Sequence, residues 1–208
     1  AHLGLWVTGK RVCGSWAHAD EDSSFCELNA YVQNIFARVG LTKNMMVVET
    51  CDNNIFASGL KVMTRGGKTV AELGILSHKL QRAADIANPV YYADIHWNTL
   101  MKAVRKNKLE YQEISKYPAV SRDLALLIDN SVKFAQIEEI AFQTEKKLLK
   151  RVELFDVYQG KNLPEGKKSY AVNFIIQDAT RTLNDKAIDA IMTKLINNIK
   201  NKLGAELR

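Results

Sequence analysis

Two residues near the end of an apolar segment have side chains suited to binding an unpaired nucleotide. Asp156 and Tyr158 close the segment 154–158 (LFDVY), which is predicted to be a strand. Because residues two apart in a strand point to the same face, the two side chains should project together, about 6.5 Å apart. A tyrosine ring is a platform on which a base stacks, and a carboxylate accepts hydrogen bonds from the Watson–Crick N–H groups of guanine.

The sequence offers three cations to contact phosphates beside that pair. They are Lys167, Lys168 and Arg122. The same residues also permit a structural interpretation, in which Tyr158 packs at the sheet edge, Asp156 caps the following turn and the lysines are solvated. Spacing alone leaves both interpretations open.

The remaining reactive side chains do not form a catalytic motif. The first half holds all of the histidines: His2, His18, His78 and His96. None has the setting of a nucleophile and an oriented base, so they are interpreted as surface or core-edge residues. Residues 65–69 (RGGKT) end like a phosphate loop, but the upstream glycine is missing. This segment is predicted to be a hairpin turn between two strands.

The cysteines are odd in number and lie far apart, at Cys13, Cys26 and Cys51. There is no Cys-x-x-Cys pair, so the sequence predicts neither a disulfide framework nor a structural zinc site. Reduced cysteines favour a cytoplasmic protein. No catalytic residue and no metal ligand is predicted.

The elements that position these residues fall into two halves, joined between about residues 105 and 118. In residues 1–112, apolar spacing predicts an α/β segment with strands near 3–8, 45–48, 60–64, 70–76 and 90–95, and helices near 25–39, 77–84 and 97–104. In residues 113–208, strands are predicted near 124–128, 152–158, 170–177 and 205–208. Helices are predicted near 133–148, capped by Ser131, and from Asn184 to Gly204. The order βαββαβ predicts a ferredoxin-like α+β domain with both helices on one face of an antiparallel sheet.

Composition sets the outer limits. The chain has 208 residues, 47% of them hydrophobic and 25% charged, which is the mixture of a folded protein of one or two domains. No apolar run approaches the roughly 18 residues of a membrane span. The net charge of +6 permits a polyanionic partner without requiring one. The opening Ala1-His2-Leu3-Gly4 lacks the features of a signal peptide, and we expect a piece of a longer chain.

Four blocks of the second half together resemble the ferredoxin-fold anticodon-binding domain of bacterial phenylalanyl-tRNA synthetase beta subunits. The blocks are residues 117–125 (YPAVSRDLA), 154–160 (LFDVYQG), 163–169 (LPEGKKS) and 181–183 (RTL). More loosely, residues 3–9 (LGLWVTG), 27–30 (ELNA) and 71–80 (AELGILSHKL) are similar to the end of the catalytic-like module that precedes that domain. The family's His-Pro-Gly turn is replaced here by residues 55–59 (IFASG).

The resemblance implies a division at residues 1–112 and 113–208, the first a non-catalytic class II synthetase module. It implies an α₂β₂ enzyme that joins phenylalanine to its tRNA using ATP and magnesium in the alpha subunit, with no cofactor in this chain. The family's Phe-Asp-x-Tyr segment maps onto Asp156 and Tyr158, and its Lys-Ser pair onto Lys168 and Ser169. Arg122 and Asp123 match a further family signature, for which an RNA contact and a structural pairing both stay open.

Two other classes of function stay open at this point. Ferredoxin-like domains also serve as regulatory modules that bind small metabolites, often at glycine-rich turns, although the turn at residues 129–131 (DNS) has no glycine. The chain is alternatively a structural element at a subunit interface, a role that is compatible with RNA binding.

Overall fold

Two groups of secondary-structure elements follow one another in the computed structural model of the protein. The structure describes residues 1–107, 111, 113–160 and 163–208. The chain divides into two compact units, residues 1–110 and 111–208. Each unit has its own apolar core and is described separately.

The N-terminal unit is built on an antiparallel sheet. Its strands are β1 (His2–Thr8), β2 (Lys10–Val12), β3 (Glu21–Asp22), β4 (Met46–Thr50), β5 (Phe56–Thr64), β6 (Thr69–Leu76) and β7 (Val90–His96). The main sheet has the order β1-β7-β6-β5-β4, and β2 pairs with β3. Strands and helices alternate along this unit, but each neighbouring pair of described strands runs antiparallel. The predicted hairpin between β5 and β6 is confirmed, with Gly67 at a φ of 76°.

Helices cover one face of this sheet. They are α1 (Phe25–Arg38) and α3 (Trp97–Val104), while the short α2 (His78–Ala83) follows β6 and a 3₁₀ turn spans Lys43–Met45. The Ser24 hydroxyl caps α1 by accepting a hydrogen bond from the Glu27 N–H. Buried side chains of α1 and α3 pack with alternate residues of β6 and β7, such as Leu73 and Ala93. The residues between them, such as Tyr92 and Asp94, therefore lie on the opposite face.

The C-terminal unit has the predicted βαββαβ order. Its elements are β8 (Val120–Asp129), α4 (Phe134–Thr144), β9 (Leu149–Tyr158), β10 (Lys167–Ile176), α5 (Asp185–Leu203) and β11 (Glu206–Leu207). The sheet order is β11-β8-β10-β9 with antiparallel neighbours. Both helices join one core cluster with the sheet. The predicted α+β class and ferredoxin-like arrangement are confirmed.

One face of this second sheet is covered and the other is open. On β10 the buried residues Tyr170, Val172, Phe174 and Ile176 pack in the helix-facing core. The alternate residues of β10 point to the other side of the sheet; they are Lys167, Ser169, Ala171, Asn173 and Ile175. We call this uncovered side the open face. Among the described residues, no helix has the length and apolar character that crossing a bilayer requires.

Helix α4 is shorter than its apolar spacing predicts, and the predicted cap at Ser131 is wrong. The Ser131 N–H and hydroxyl both donate to Asp129 Oδ1, at 2.8 and 2.6 Å, so this hydroxyl serves the turn and not the helix. The helix begins after Lys133, whose N–H donates to Gln136 Oε1. It ends at Thr144, because the Glu145 carboxylate accepts from the N–H groups of Lys147 and Leu148 and turns the chain toward β9.

Candidate nucleic-acid interface

The strand pairing of β9 with β10 places Asp156 and Tyr158 side by side on the open face. Tyr158 lies opposite Ser169, and Asp156 lies opposite Ala171. Directly opposed residues of antiparallel strands point to the same side of a sheet. Asp156, Tyr158 and Ser169 therefore share the face opposite α4 and α5, which no helix among the described residues of this unit covers.

A bulge in β9 makes this arrangement compatible with a packed core. Asp156 pairs with Ala171 and Leu154 pairs with Val172, so Phe155 is the extra residue between them. Without the bulge, Leu154 would share a face with Asp156. With it, Leu154 packs against the helix-facing core while Asp156 points to solvent on the other side.

The Asp156 carboxylate is free to accept hydrogen bonds from a ligand. Its residue is exposed, and within the described ranges it makes no hydrogen bond or ion pair. An unpaired carboxylate next to an aromatic ring is the group that the N1–H and N2–H₂ donors of guanine require. Among residues 113–160 and 163–208, no contact is found for the structural alternative in which Asp156 caps the following turn.

Tyr158 is half-exposed, and its ring has two defined neighbours. The side chain is 38% exposed. The Arg208 guanidinium carbon lies 5.2 Å from the ring centroid, within the range of a cation–π contact. Gly160 lies against the hydroxyl end of the ring, since a Cβ built there would be 2.5 Å from Tyr158 Oη. The ring is therefore held in place without being buried.

Arg208 is a candidate functional residue that the sequence did not reveal. Its N–H donates to the Ala125 carbonyl on β8, and it follows β11 at one edge of the sheet. Tyr158 lies on β9 at the other edge, so the Arg208 side chain extends across the open face. No motif or spacing marks this residue; only the strand order brings it to Tyr158.

The predicted cations do not gather at one place. Lys167 shares the open face, and its Nζ donates to Glu206 Oε1 at 3.0 Å. Lys168 points the other way and is 7% exposed, with Nζ donating to the Asn130 carbonyl at 2.9 Å and lying 4.8 Å from the Tyr170 ring centroid. A buried ammonium with these partners is not available to phosphate, so the structure does not place Lys168 in the site.

Arg122 and Ser169 also differ from the sequence-based expectation. Arg122 lies opposite Phe174 and so points to the helix side, where Nη2 is 3.8 Å from Asp185 Oδ1. Arg122 points to the helix side and Asp156 points to the open face. The sheet therefore lies between the two side chains. Ser169 is on the open face but is 6% exposed, between its neighbours on β8 and β9.

Polar contacts within the sheet and its first turn serve structure. The Asp123 carboxylate accepts from Asn173 Nδ2 on the neighbouring strand, so the structural pairing left open by the sequence is present. The pKa of Asp129 is lowered from its ordinary value by the hydrogen bonds that the Ser131 hydroxyl and N–H donate. In the β8–α4 turn, the Ser131 donors are therefore already used by Asp129. A metabolite-binding module would instead offer free backbone N–H groups at such a turn.

With this geometry defined, comparison with known proteins assigns each unit to a class. Residues 115–208 match the family described as the ferredoxin-fold anticodon binding domain. Residues 1–97 match the phenylalanyl tRNA synthetase beta chain CLM domain. The two matches leave few residues of the chain outside a recognised domain.

Known proteins that are similar along nearly the whole chain define the family more closely. A phenylalanine–tRNA ligase beta subunit of Bacteroides thetaiotaomicron is 61% identical over 207 residues, which is 100% of this chain and 25% of that protein. Those of Porphyromonas gingivalis and Dehalococcoides mccartyi are 48% and 32% identical, over 99% and 97% of this chain and 25% and 24% of those proteins. The chain belongs to the family of phenylalanine–tRNA ligase beta subunits and spans about a quarter of the length of the curated relatives it matches.

Proposed function

We propose that the open face of the C-terminal unit binds the anticodon of phenylalanine tRNA, as part of the beta subunit of a phenylalanine–tRNA ligase. The observation that carries this proposal is the exposed Asp156 carboxylate, unpaired within the described ranges, beside the half-exposed Tyr158 ring on one uncovered sheet face. The match of residues 115–208 to an anticodon-binding family supports the same role.

Each residue on this face has a defined part in binding. Tyr158 stacks on an unpaired base, while Asp156 accepts the N1–H and N2–H₂ donors of a guanine. Arg208 holds the Tyr158 ring and offers a cation to the neighbouring phosphate. Lys167 adds positive charge once its exposed ion pair with Glu206 opens, which costs little in water.

The rest of the enzyme supplies the chemistry. The relatives are named as ligase beta subunits, and the alpha subunit of an α₂β₂ assembly, with ATP and magnesium, would make the aminoacyl bond. This chain contributes recognition and no catalytic residue. Such a role belongs in the cytoplasm, where tRNA is charged.

Binding of an anticodon stem-loop to the full chain tests the proposal. Tyr158→Ala should weaken binding by about 1–3 kcal/mol, because the stacking surface for one base is lost. A matched control is Tyr31→Ala, since Tyr31 is 45% exposed on α1 of the other unit and should leave binding unchanged. Fluorescence anisotropy at one fixed salt concentration measures both. Equal binding by wild type and Tyr158→Ala would refute the site.

A further inference from the structure

Three side chains with metal-ligating atoms converge on the face of the N-terminal sheet opposite α1 and α3. His2 on β1 lies directly opposite His96 on β7. Asp94 precedes His96 by two residues and therefore points to the same side. Two imidazoles and one carboxylate thus lie together on neighbouring strands, with no bulge in their pairing.

The separations of their ligating atoms are close to those around a single ion. His2 Nδ1 is 2.9 Å from both carboxylate oxygens of Asp94, and His96 Nε2 is 3.6 Å from Asp94 Oδ2. All three ligating atoms lie within 4.8 Å of one another. With metal–nitrogen bonds of about 2.0–2.1 Å, ligand atoms around one ion stand roughly 3.0–3.4 Å apart. The separations from Asp94, 2.9 Å to His2 and 3.6 Å to His96, lie just below and just above that range.

The surroundings leave room for an ion and its water. Asp94 is the least exposed of the three, at 24% of its side chain, against 30% for His96 and 60% for His2. Gly4 lies opposite Asp94 on β1, so no side chain of that strand position covers the carboxylate. On the other side Glu72 pairs with Asp94, and its carboxylate is 3.7 Å from Lys61 Nζ, so this ion pair adds little net charge beside the site.

We propose that His2, Asp94 and His96 form a binding site for a divalent transition-metal ion of the zinc type. His2 Nδ1, His96 Nε2 and one Asp94 oxygen are the protein ligands, and water completes the coordination. Neutral imidazole suits zinc, cobalt and nickel better than magnesium or calcium, which prefer oxygen ligands. Because β1 is the edge strand of the sheet, an ion here ties that edge to β7.

Cobalt and zinc binding to the tag-free 208-residue chain tests the site. The chain should carry Cys13→Ser and Cys26→Ser, because both thiols are exposed and compete for soft metals. We expect one equivalent of Zn²⁺ by isothermal titration calorimetry, visible d–d absorption with Co²⁺, and a higher Tm in Zn²⁺. Asp94→Asn and His96→Ala should each weaken Zn²⁺ binding by more than about tenfold, through loss of a direct ligand.

The controls separate this site from other ways of holding zinc. His78→Ala removes an exposed histidine elsewhere in the unit and should leave the affinity unchanged. A chelate formed by the Ala1 amine and His2 alone would survive both Asp94→Asn and His96→Ala, and that result would overturn the proposal. Absence of Zn²⁺ binding at millimolar concentration would overturn it as well. Circular dichroism confirms that each variant is folded, and His96→Gln replaces His96→Ala if the latter is not.

Discussion

At the scale of the residue, the aromatic plane of the candidate interface depends on groups that are distant in sequence. Tyr158 is flanked by Gly160, which comes from its own strand end, and by Arg208, which comes from the last position of the chain. The cation–π contact holds the Arg208 guanidinium against the ring that we propose as a stacking platform for a base. Arg208 therefore both orients the ring and adds charge, and the two effects are separable by experiment.

Arg208→Gln should weaken binding of the anticodon stem-loop and make it less sensitive to salt. Removing one phosphate contact lowers the slope of log K against log salt concentration by about 1. Arg38→Gln is the control, because Arg38 is exposed at the end of α1 in the other unit and its loss changes only the net charge. Anisotropy titrations over a range of salt concentrations measure both slopes. A slope for Arg208→Gln equal to that of Arg38→Gln would contradict a phosphate contact.

The residue types at the candidate interface were predictable from the sequence, but only some of the side-chain orientations were. Asp156 and Tyr158 were predicted to point to one face, and they do. Lys168 and Arg122 were predicted to lie beside Asp156 and Tyr158. Their positions in the strands instead turn both side chains to the helix side. Residue type indicates what a side chain does chemically; only register decides which face it reaches.

At the scale of the element, long strands and helices were predictable and local irregularities were not. Regular apolar spacing placed α1 and α5 within a residue or two of their observed bounds, and the cap at Asn184 and the glycine at Gly204 are local signals for the ends of α5. The bulge at Phe155 and the end of α4 depend on cross-strand partners and on a competing Asx turn. Neither leaves a periodic signal in the sequence.

The pairing of β5 with β6 contains the tightest backbone contact among the glycines of the chain. Gly59 and Gly74 lie opposite each other, and a Cβ at Gly74 would be 2.4 Å from the Ser58 carbonyl oxygen and 2.8 Å from the Gly59 Cα. Both are backbone atoms, which cannot move as a side-chain end can. A side chain at Gly74 must therefore displace one strand.

Gly74→Ala should lower the free energy of unfolding of the N-terminal unit by about 1–3 kcal/mol, the usual cost of overpacking. Gly66→Ala is the matched control, since a Cβ there meets only Thr64 Oγ1 at 3.8 Å and should change stability little. Urea denaturation followed by circular dichroism measures both. If the two variants unfold at the same urea concentration, the close approach does not exist in solution.

At the scale of the whole molecule, the two units have cores that share no residue. The helix-facing cluster of the C-terminal unit draws its members from Val120 to Ala205, and the clusters of the N-terminal unit from Leu5 to Val104. A unit that contains its entire core has what it needs to fold alone. The proposed RNA interface and the proposed metal site then lie in different units.

A chain limited to residues 113–208 should fold cooperatively, and Leu195→Ala should lower its free energy of unfolding by about 2–5 kcal/mol. Leu195 is fully buried between the helices and the sheet, so truncation leaves a cavity. Lys194→Ala on the exposed side of α5 is the control and should cost little. Chemical denaturation gives both values. A non-cooperative transition for residues 113–208 would contradict the separation of the cores.

The central claim is that Asp156 reads the edge of a guanine, and a double-mutant cycle tests it most directly. A phenylalanine anticodon that pairs with the codon UUC contains one guanine, and inosine at that position lacks only the N2 amino group. Wild type should bind the guanine stem-loop more tightly than the inosine one, by about 1 kcal/mol or more. Asp156→Ala should bind the two equally, and the cycle cancels the general gain in affinity from removing a negative charge. An equal loss on inosine substitution in wild type and variant would contradict the account.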